Sequence, residues 1–167
     1  MIDVFFVKNA LMHLPQVKTS NQAEILKGIY DRGQPFLQLG LVFTTSILTD
    51  SLPKLTRDKQ ISKKIWDNVT YLAIALTVGL VILLPEMNDV LFKSHAHVLS
   101  LQIFVCQIPI ISMIQLYHHD LFLVGKNKMS GLILLRGLVL KLVSVYPLTV
   151  LYGLNGSALS SLISLLL

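Results

Sequence analysis

A stripe of polar side chains runs along the first long apolar stretch of the chain. On an ideal helix, at about 100° per residue, the stripe falls within an arc of roughly 60°; it consists of Asp31, Gln34, Gln38, Thr45 and Thr49. Arg32 lies beside it at one end. Such a stripe can line a wet cavity and offer hydrogen bonds to a hydrophilic ligand, or it can join the helix to its neighbours. The two charges at one end favour the cavity.

The last complete apolar stretch carries two basic residues, Arg136 and Lys141, and no acidic residue. Arg136 lies near one end, where its long side chain can reach the membrane surface. Lys141 lies near the middle, too deep for that, so we expect it to face protein or water. It can meet an anion there or pair with an acidic residue elsewhere in the protein, and both alternatives stay open.

The remaining polar residues of the apolar stretches point to packing rather than chemistry. Gln102, Gln107 and Gln115 do not share a helix face, which predicts hydrogen bonds between helices. The adjacent His118 and His119 diverge by about 100° on a helix, so no metal site is expected there. We also expect no catalytic residue and no cofactor, because the chain shows no phosphate-binding loop, nucleophile elbow or paired carboxylates.

Composition indicates a membrane protein. The chain is 53% hydrophobic, has a mean hydropathy of +0.67 and is only 14% charged, whereas soluble domains carry about 25% charged residues. The formal net charge is +5, but the basic residues are concentrated in loops between apolar stretches. That pattern is typical of cytoplasmic loops rather than of a nucleic-acid-binding surface, so no nucleic acid partner is expected.

The spacing of the apolar stretches predicts an all-α, polytopic transmembrane helical bundle. About 20 apolar residues are needed to cross a bilayer as a helix. We predict four such spans and a truncated fifth within residues 35–167, preceded by a partial helix and an outer loop in residues 1–34. The four spans are residues 35–52, 66–84, 98–117 and 129–151, with Pro85 ending the second, Pro109 kinking the third and a tight turn at 152–156 following the fourth. Since the fifth begins where the chain is about to stop, the chain is expected to be a piece of a longer protein.

Loop charges predict the orientation. Lys and Arg number five in residues 53–67, one in 85–97, two in 118–128 and none in 152–156. Basic residues collect on the cytoplasmic side. We therefore expect 53–67 and 118–128 to be cytoplasmic and 85–97 and 152–156 to face outward. Residues 15–34 hold three Lys and Arg; the alternation places them outside, against the rule, but five against three still favours this orientation.

A known family shows the same sequence of features. The string Tyr-Asp-Arg-Gly-Gln-Pro at 30–35, the apolar span after it and Leu-Pro-Lys-Leu at 52–55 are its first markers. Gly-Lys-Asn-Lys at 125–128, Lys141 and the segment 152–159 follow in order. Here the chain resembles the lipid II and polysaccharide flippases of the MurJ and stage V sporulation protein B type, within the multidrug/oligosaccharidyl-lipid/polysaccharide exporter superfamily.

The resemblance implies a fragment, from about helix 7 to helix 12, of a roughly 14-helix flippase of the bacterial cytoplasmic membrane. The parent would carry an undecaprenyl-pyrophosphate-linked sugar for cell-wall (peptidoglycan) or polysaccharide assembly, by alternating access. Arg32, together with Lys141, would bind the pyrophosphate, and Asp31 would hold Arg32 or couple transport to an ion. Gln34, Gln38, Thr45 and Thr49 would give the sugars a wet path. Asp3 would match an acid of the preceding helix, and the partners would be membrane lipids and the missing N- and C-terminal helices of the parent chain.

Three alternatives stay open. One is a drug/cation antiporter of the same superfamily, which calls for an acidic cavity. Another is a membrane enzyme acting on polyprenyl phosphates, which would have to use His118, His119 and Asp120. The last is an inactive truncated fragment.

Overall fold

A computed structural model describes residues 12, 20–55, 59–93 and 97–166 of the chain. Within these ranges the fold is all-α, as predicted, and no strand occurs. Apart from the single described residue 12, the helices are α1 (Ser20–Asp31), α2 (Gly33–Leu55), α3 (Lys59–Phe92), α4 (Val98–Val105), α5 (Gln107–Leu123) and α6 (Asn127–Leu166). The predicted partial helix before residue 15, including Asp3, lies almost wholly outside the described residues.

Three stretches of helix are long and apolar enough to cross a membrane, namely Lys63–Phe92, Val98–Leu123 and Asn127–Leu166. A helix bonds most of its backbone groups to one another, which is what a bilayer requires. The span predicted at 35–52 is helical too, as part of the 23-residue α2. Its membrane crossing stays a prediction, since α2 is not among the three apolar stretches found in the described residues.

Several segments expected to be loops are largely helical. Helix α2 reaches Leu55 and α3 begins at Lys59, both within the predicted loop 53–67, and α5 reaches Leu123 within the predicted loop 118–128. Residues 20–31, assigned to the outer loop, form α1. Helix α3 does not end at Pro85 but continues through it to Phe92. Proline has no N–H to bond to the carbonyl of Val81, four residues earlier. Gln102 Nε2 of α4 donates to that carbonyl oxygen at 3.1 Å instead, and such replacement by a neighbouring helix lets a membrane helix continue through proline. The loop predicted at 85–97 is therefore much shorter than expected.

The predicted interruption at Pro109 is confirmed. The third span divides into α4 and α5 at Cys106. Because Pro109 has no N–H, it cannot bond to the carbonyl of Val105, four residues earlier. The ladder of helical hydrogen bonds therefore breaks one turn before the proline. The break separates Phe104 at the end of α4 from Gln107 at the start of α5.

The long helix α6 is a hairpin of two arms, 127–152 and 154–166. They meet at Gly153, whose φ of 60° and ψ of −136° are not helical. A Cβ added to Gly156 would lie 1.8 Å from the carbonyl oxygen of Leu148, and one at Gly137 would lie 3.2 Å from that of Ser164. Residues far apart along a straight helix are thus neighbours, so the second arm runs back along the first. The tight turn predicted at 152–156 is confirmed, and it needs glycine at both 153 and 156.

The core lies between α2 and the helices around it. Helix α2 packs against α3, α4 and α5, and α6 packs against α4 and α5. Tyr30 and Phe104 make an edge-to-face contact with ring centroids 5.2 Å apart, and Ala158 of the second α6 arm belongs to the same buried cluster. The exposed faces are largely apolar: Tyr71, Val78 and Ile82 of α3 are more than half exposed. Such a surface is suited to lipid or to further helices.

Candidate functional site

A cavity of about 400 Å³ lies where α2, α4, α5 and both arms of α6 meet. We call it the central cavity. Its lining combines glutamines, serines and one lysine with apolar side chains; the residues are Gln34, Leu37, Gln38, Leu41, Phe104, Gln107, Ile111, Lys141, Ser161, Ser164 and Leu165. A mostly apolar pocket with a few convergent polar groups is the usual form of a ligand site.

Helix α2 supplies one wall of the central cavity. Gln34 and Gln38 are separated by one turn, and Leu37 and Leu41 extend the same face. Residues spaced by three, four and seven positions lie on one side of a helix. The part of the predicted stripe formed by the two glutamines is thus placed at the cavity.

Lys141 is the charged member of the opposite wall. It is half-buried on the first α6 arm, which at 1.5 Å per residue puts it about 21 Å from Asn127 and about 18 Å from Gly153. That is the middle of the arm, as predicted. The returning second arm brings Ser161 and Ser164 to the same cavity. None of the described lining residues is acidic.

Gln107 is a cavity residue that the sequence did not single out for binding. It is 3% exposed, it lines the central cavity, and its Nε2 has no hydrogen-bond partner among the described residues. The prediction of a bond between helices holds for Gln102, whose Nε2 donates to the carbonyl oxygen of Val81 at 3.1 Å, but not for the Gln107 Nε2. Pro109 is the sequence feature that could have indicated Gln107, because the helix breaks at Cys106, one residue before that glutamine.

Asp31 and Arg32 do not form the pair expected at the mouth. Asp31 Oδ2 accepts a hydrogen bond from Lys27 Nζ at 2.5 Å. The Arg32 guanidinium lies over the Phe92 ring, 4.6 Å from its centroid, and its Nη1 is buried without a partner in the described part of the chain. Neither residue lines the central cavity. Arg32 is two residues before Gln34, at the α1–α2 junction. It therefore lies next to the wall of the central cavity that α2 forms, which starts at Gln34.

The two threonines of the stripe bond to their own helix. Thr45 Oγ1 donates to the carbonyl oxygen of Leu41 at 2.7 Å, and Thr49 Oγ1 donates to that of Thr45 at 2.8 Å. Neither is among the lining residues of the central cavity. The structure therefore brings together Gln34, Gln38 and Lys141 from the predicted site and places Asp31, Arg32, Thr45 and Thr49 outside that cavity.

A second pocket lies at the far end of α5, and we call it the α5–α6 pocket. It measures about 660 Å³ and is lined by His118, His119, Phe122, Leu123, Asn127, Ser130 and Leu134. Asp120 is not in this lining: its Oδ2 accepts a hydrogen bond from Trp66 Nε1 at 3.0 Å. In the ranges that the structure describes, no group of three His, Cys, Asp or Glu residues is placed to hold a metal ion.

Comparison with known proteins gives one informative relative. The chain is 31% identical, over 153 residues, to the uncharacterized membrane protein YabM of Bacillus subtilis (strain 168), an alignment that includes 86% of this chain. The chain spans 29% of the length of that protein. No family model matches, and no solved structure matches either. The relative and the three apolar helices together establish a helical membrane protein.

Proposed function

We propose that this chain takes part in moving a lipid-linked oligosaccharide across the bacterial cell membrane by alternating access, and that it is not an enzyme. The central cavity would hold the diphosphate and the first sugar, while the polyprenyl chain stays in the bilayer. Broken helices around a site near the middle of the membrane are a recurring feature of transporters that work in this way. The α4–α5 break is such an interruption, because Gln107, which starts α5, lines the central cavity.

One observation carries the proposal: Lys141 lies at mid-helix in a cavity whose other described polar residues are glutamines and serines. An ammonium group attracts an anion, and low polarity nearby strengthens that attraction. Amide side chains are both donors and acceptors, so Gln34, Gln38 and Gln107 suit the hydroxyl groups of a sugar. Arg32, at the α1–α2 junction, would contact the anion at one end of its path.

The described lining gives less support to the other functions. A drug/cation antiporter calls for acidic residues, and the described lining has none. A membrane enzyme using His118, His119 and Asp120 would need the carboxylate beside the imidazoles, whereas Asp120 is bonded to Trp66. An inactive truncated fragment would not carry a lipid-linked sugar across a bilayer, so a transport experiment distinguishes that alternative from the proposed function.

The test is binding of farnesyl diphosphate, with farnesol as the uncharged comparison, to the purified full chain. Lys141→Met should weaken farnesyl diphosphate about 10- to 100-fold, because a hydrogen bond to a charged group contributes about 1.5–3 kcal/mol. Farnesol should bind equally to both proteins. Arg136→Met is the matched control, since it removes a cation from the same arm at an exposed position outside the cavity. Equal diphosphate affinity in Lys141→Met and the unmodified chain would contradict the proposal.

Movement across the membrane needs a second measurement. A fluorescent polyprenyl diphosphate sugar in proteoliposomes becomes accessible to an added quencher only after it crosses the bilayer. We expect Lys141→Met to slow that exposure by at least the factor lost in binding, and Arg136→Met to leave it unchanged. Binding without any protein-dependent crossing would show that the chain holds the ligand but does not transport it.

A further inference from the structure

The α5–α6 pocket is a second site with the character of a ligand pocket, and the proposed transport makes no use of it. One side of its lining is apolar, through Phe122, Leu123 and Leu134. The other side is polar, through His118, His119, Asn127 and Ser130. A pocket divided in this way fits a molecule that has an apolar chain and a polar head.

The imidazole of His118 provides a specific polar contact. Its Nδ1 is hydrogen-bonded to Ser130 Oγ, which ties α5 to the first turns of α6. Its Nε2 is buried and has no partner among the described residues. When the serine hydroxyl donates to Nδ1, Nε2 carries the proton and is a buried donor on a residue that lines the pocket. An unpaired buried donor costs about 1–3 kcal/mol, and an acceptor that enters the pocket removes that cost.

The surroundings of the pocket are basic. Lys126 and Lys128 are exposed on the connection between α5 and α6. Lys63 and Lys64, also exposed, lie in the first turns of α3 close to Trp66, which is bonded to Asp120 of α5. The N-terminus of α6 at Asn127 adds the positive end of a long helix. Asp67 and Asp120 are acidic residues at this end, and the Asp120 carboxylate is already bonded to the Trp66 indole.

Aromatic side chains mark this end of the bundle as the boundary between bilayer and water. The Trp66 and Tyr117 rings meet edge to face with centroids 4.8 Å apart. Trp and Tyr collect at the level of the lipid headgroups, and basic residues there attract anionic lipids. The pocket thus lies where a phospholipid can place its phosphate among basic groups and its acyl chain along α5 and α6.

We infer that the α5–α6 pocket binds an anionic phospholipid, with the His118 Nε2–H donating to the lipid phosphate, Lys126 and Lys128 attracting it, and Phe122 and Leu134 contacting an acyl chain. The lipid would contact both the end of α5 and the start of α6. Its binding is independent of the central cavity, so it does not rest on the proposed transport.

The experiment is thermal unfolding of the full chain in a neutral detergent with added dioleoyl phosphatidylglycerol or dioleoyl phosphatidylcholine. A ligand that binds the folded state raises the Tm, and for a chain of this size about 1 kcal/mol corresponds to a shift on the order of 3 °C. We expect that shift with phosphatidylglycerol and little or none with phosphatidylcholine. Inorganic phosphate alone should give none, because the apolar part of the site requires a chain.

Two variants assign the effect to this pocket. His118→Leu should abolish the phosphatidylglycerol shift, and Lys126→Gln, which leaves the packing intact, should reduce it by about half or more. Lys93→Gln is the matched control, since it removes an exposed lysine beyond the other end of α3. Equal shifts with the two lipids, an undiminished shift in Lys126→Gln, or the same shift with inorganic phosphate would each overturn the inference.

Discussion

At the scale of single residues, the polar groups near the central cavity include hydroxyls that their own helix satisfies and a buried amide nitrogen that has no partner among the described residues. The hydroxyls of Thr45, Thr49 and Ser164 donate to carbonyls three or four residues earlier. Such bonds need no partner helix and no ligand. The Nε2 of Gln107, in contrast, is buried with no partner in the part of the chain that the structure describes. A ligand acceptor that reached this nitrogen would supply its missing hydrogen-bond partner.

Gln107→Leu should therefore have opposite effects on stability and on binding. Replacing a buried, unpaired amide with an apolar side chain of similar size should raise the free energy of unfolding by about 1 kcal/mol. Loss of a neutral donor should weaken the binding of a sugar-bearing polyprenyl diphosphate about 5-fold. Thermal unfolding in detergent and a binding titration on the same preparation measure the two effects.

Gln102→Leu is the control. Gln102 is a glutamine of the same span, but its Nε2 already donates to the Val81 carbonyl oxygen. Its replacement should lower stability by about 1–2 kcal/mol, because it leaves that carbonyl without its partner, and should not change binding. A Gln107→Leu protein that loses stability in the same way would show that Gln107 is a packing residue.

At the scale of elements, the sequence correctly predicted one helix interruption at a proline and one at a glycine. It also predicted that a helix ends at a second proline, and there the prediction was wrong. Pro109 breaks the third span, and Gly153 turns the chain, both as predicted. Pro85 has the same local chemistry as Pro109, yet α3 continues through it. Whether a proline ends a helix depends on what surrounds it, which local sequence does not contain. Local sequence was also insufficient for Gln34 and Gln38. Periodicity predicts that they share a helix face, but the position of that face opposite Lys141 depends on how the helices pack.

The hairpin of α6 can be tested by cross-linking its two arms. Gly137→Cys and Ser164→Cys, combined in a Cys106→Ser background, should form a disulfide, because a Cβ at position 137 would lie 3.2 Å from the Ser164 carbonyl oxygen. Disulfide formation needs Cα atoms within about 7 Å. Mild oxidation should protect both cysteines from a maleimide reagent that adds mass, and reduction should restore the reaction.

The comparison pair is Gly131→Cys with Ser164→Cys. A Cβ at Gly131 would meet nothing within 4 Å, and it lies six residues, or about 9 Å, farther along the arm. This pair should stay reactive after oxidation. If it cross-links as efficiently as the 137–164 pair, the arms do not have the register described.

At the scale of the whole molecule, the contacts between helix ends fix which ends lie together. The contact of Arg32 with Phe92 places the start of α2 beside the end of α3. The bond of Trp66 to Asp120 places the start of α3 beside the end of α5. Consecutive spans therefore run in opposite directions, which is the arrangement that the loop charges assume. The end with Lys63, Lys64, Lys126 and Lys128 is the more basic, so we expect it to face the cytoplasm.

Cysteine labelling tests this orientation across one span. The stretch Val98–Leu123 has 26 residues, about 39 Å of helix, which exceeds the hydrocarbon thickness of about 30 Å. His97 and Lys126 are exposed just beyond its two ends. In a Cys106→Ser background, which removes the sole cysteine, His97→Cys should react with an impermeant maleimide in intact cells, and Lys126→Cys only in inverted vesicles. The background protein without either cysteine measures nonspecific reaction.

The reverse pattern would place the basic end outside and reverse the orientation, whereas labelling of both positions from one side would mean that α4 and α5 do not cross the membrane.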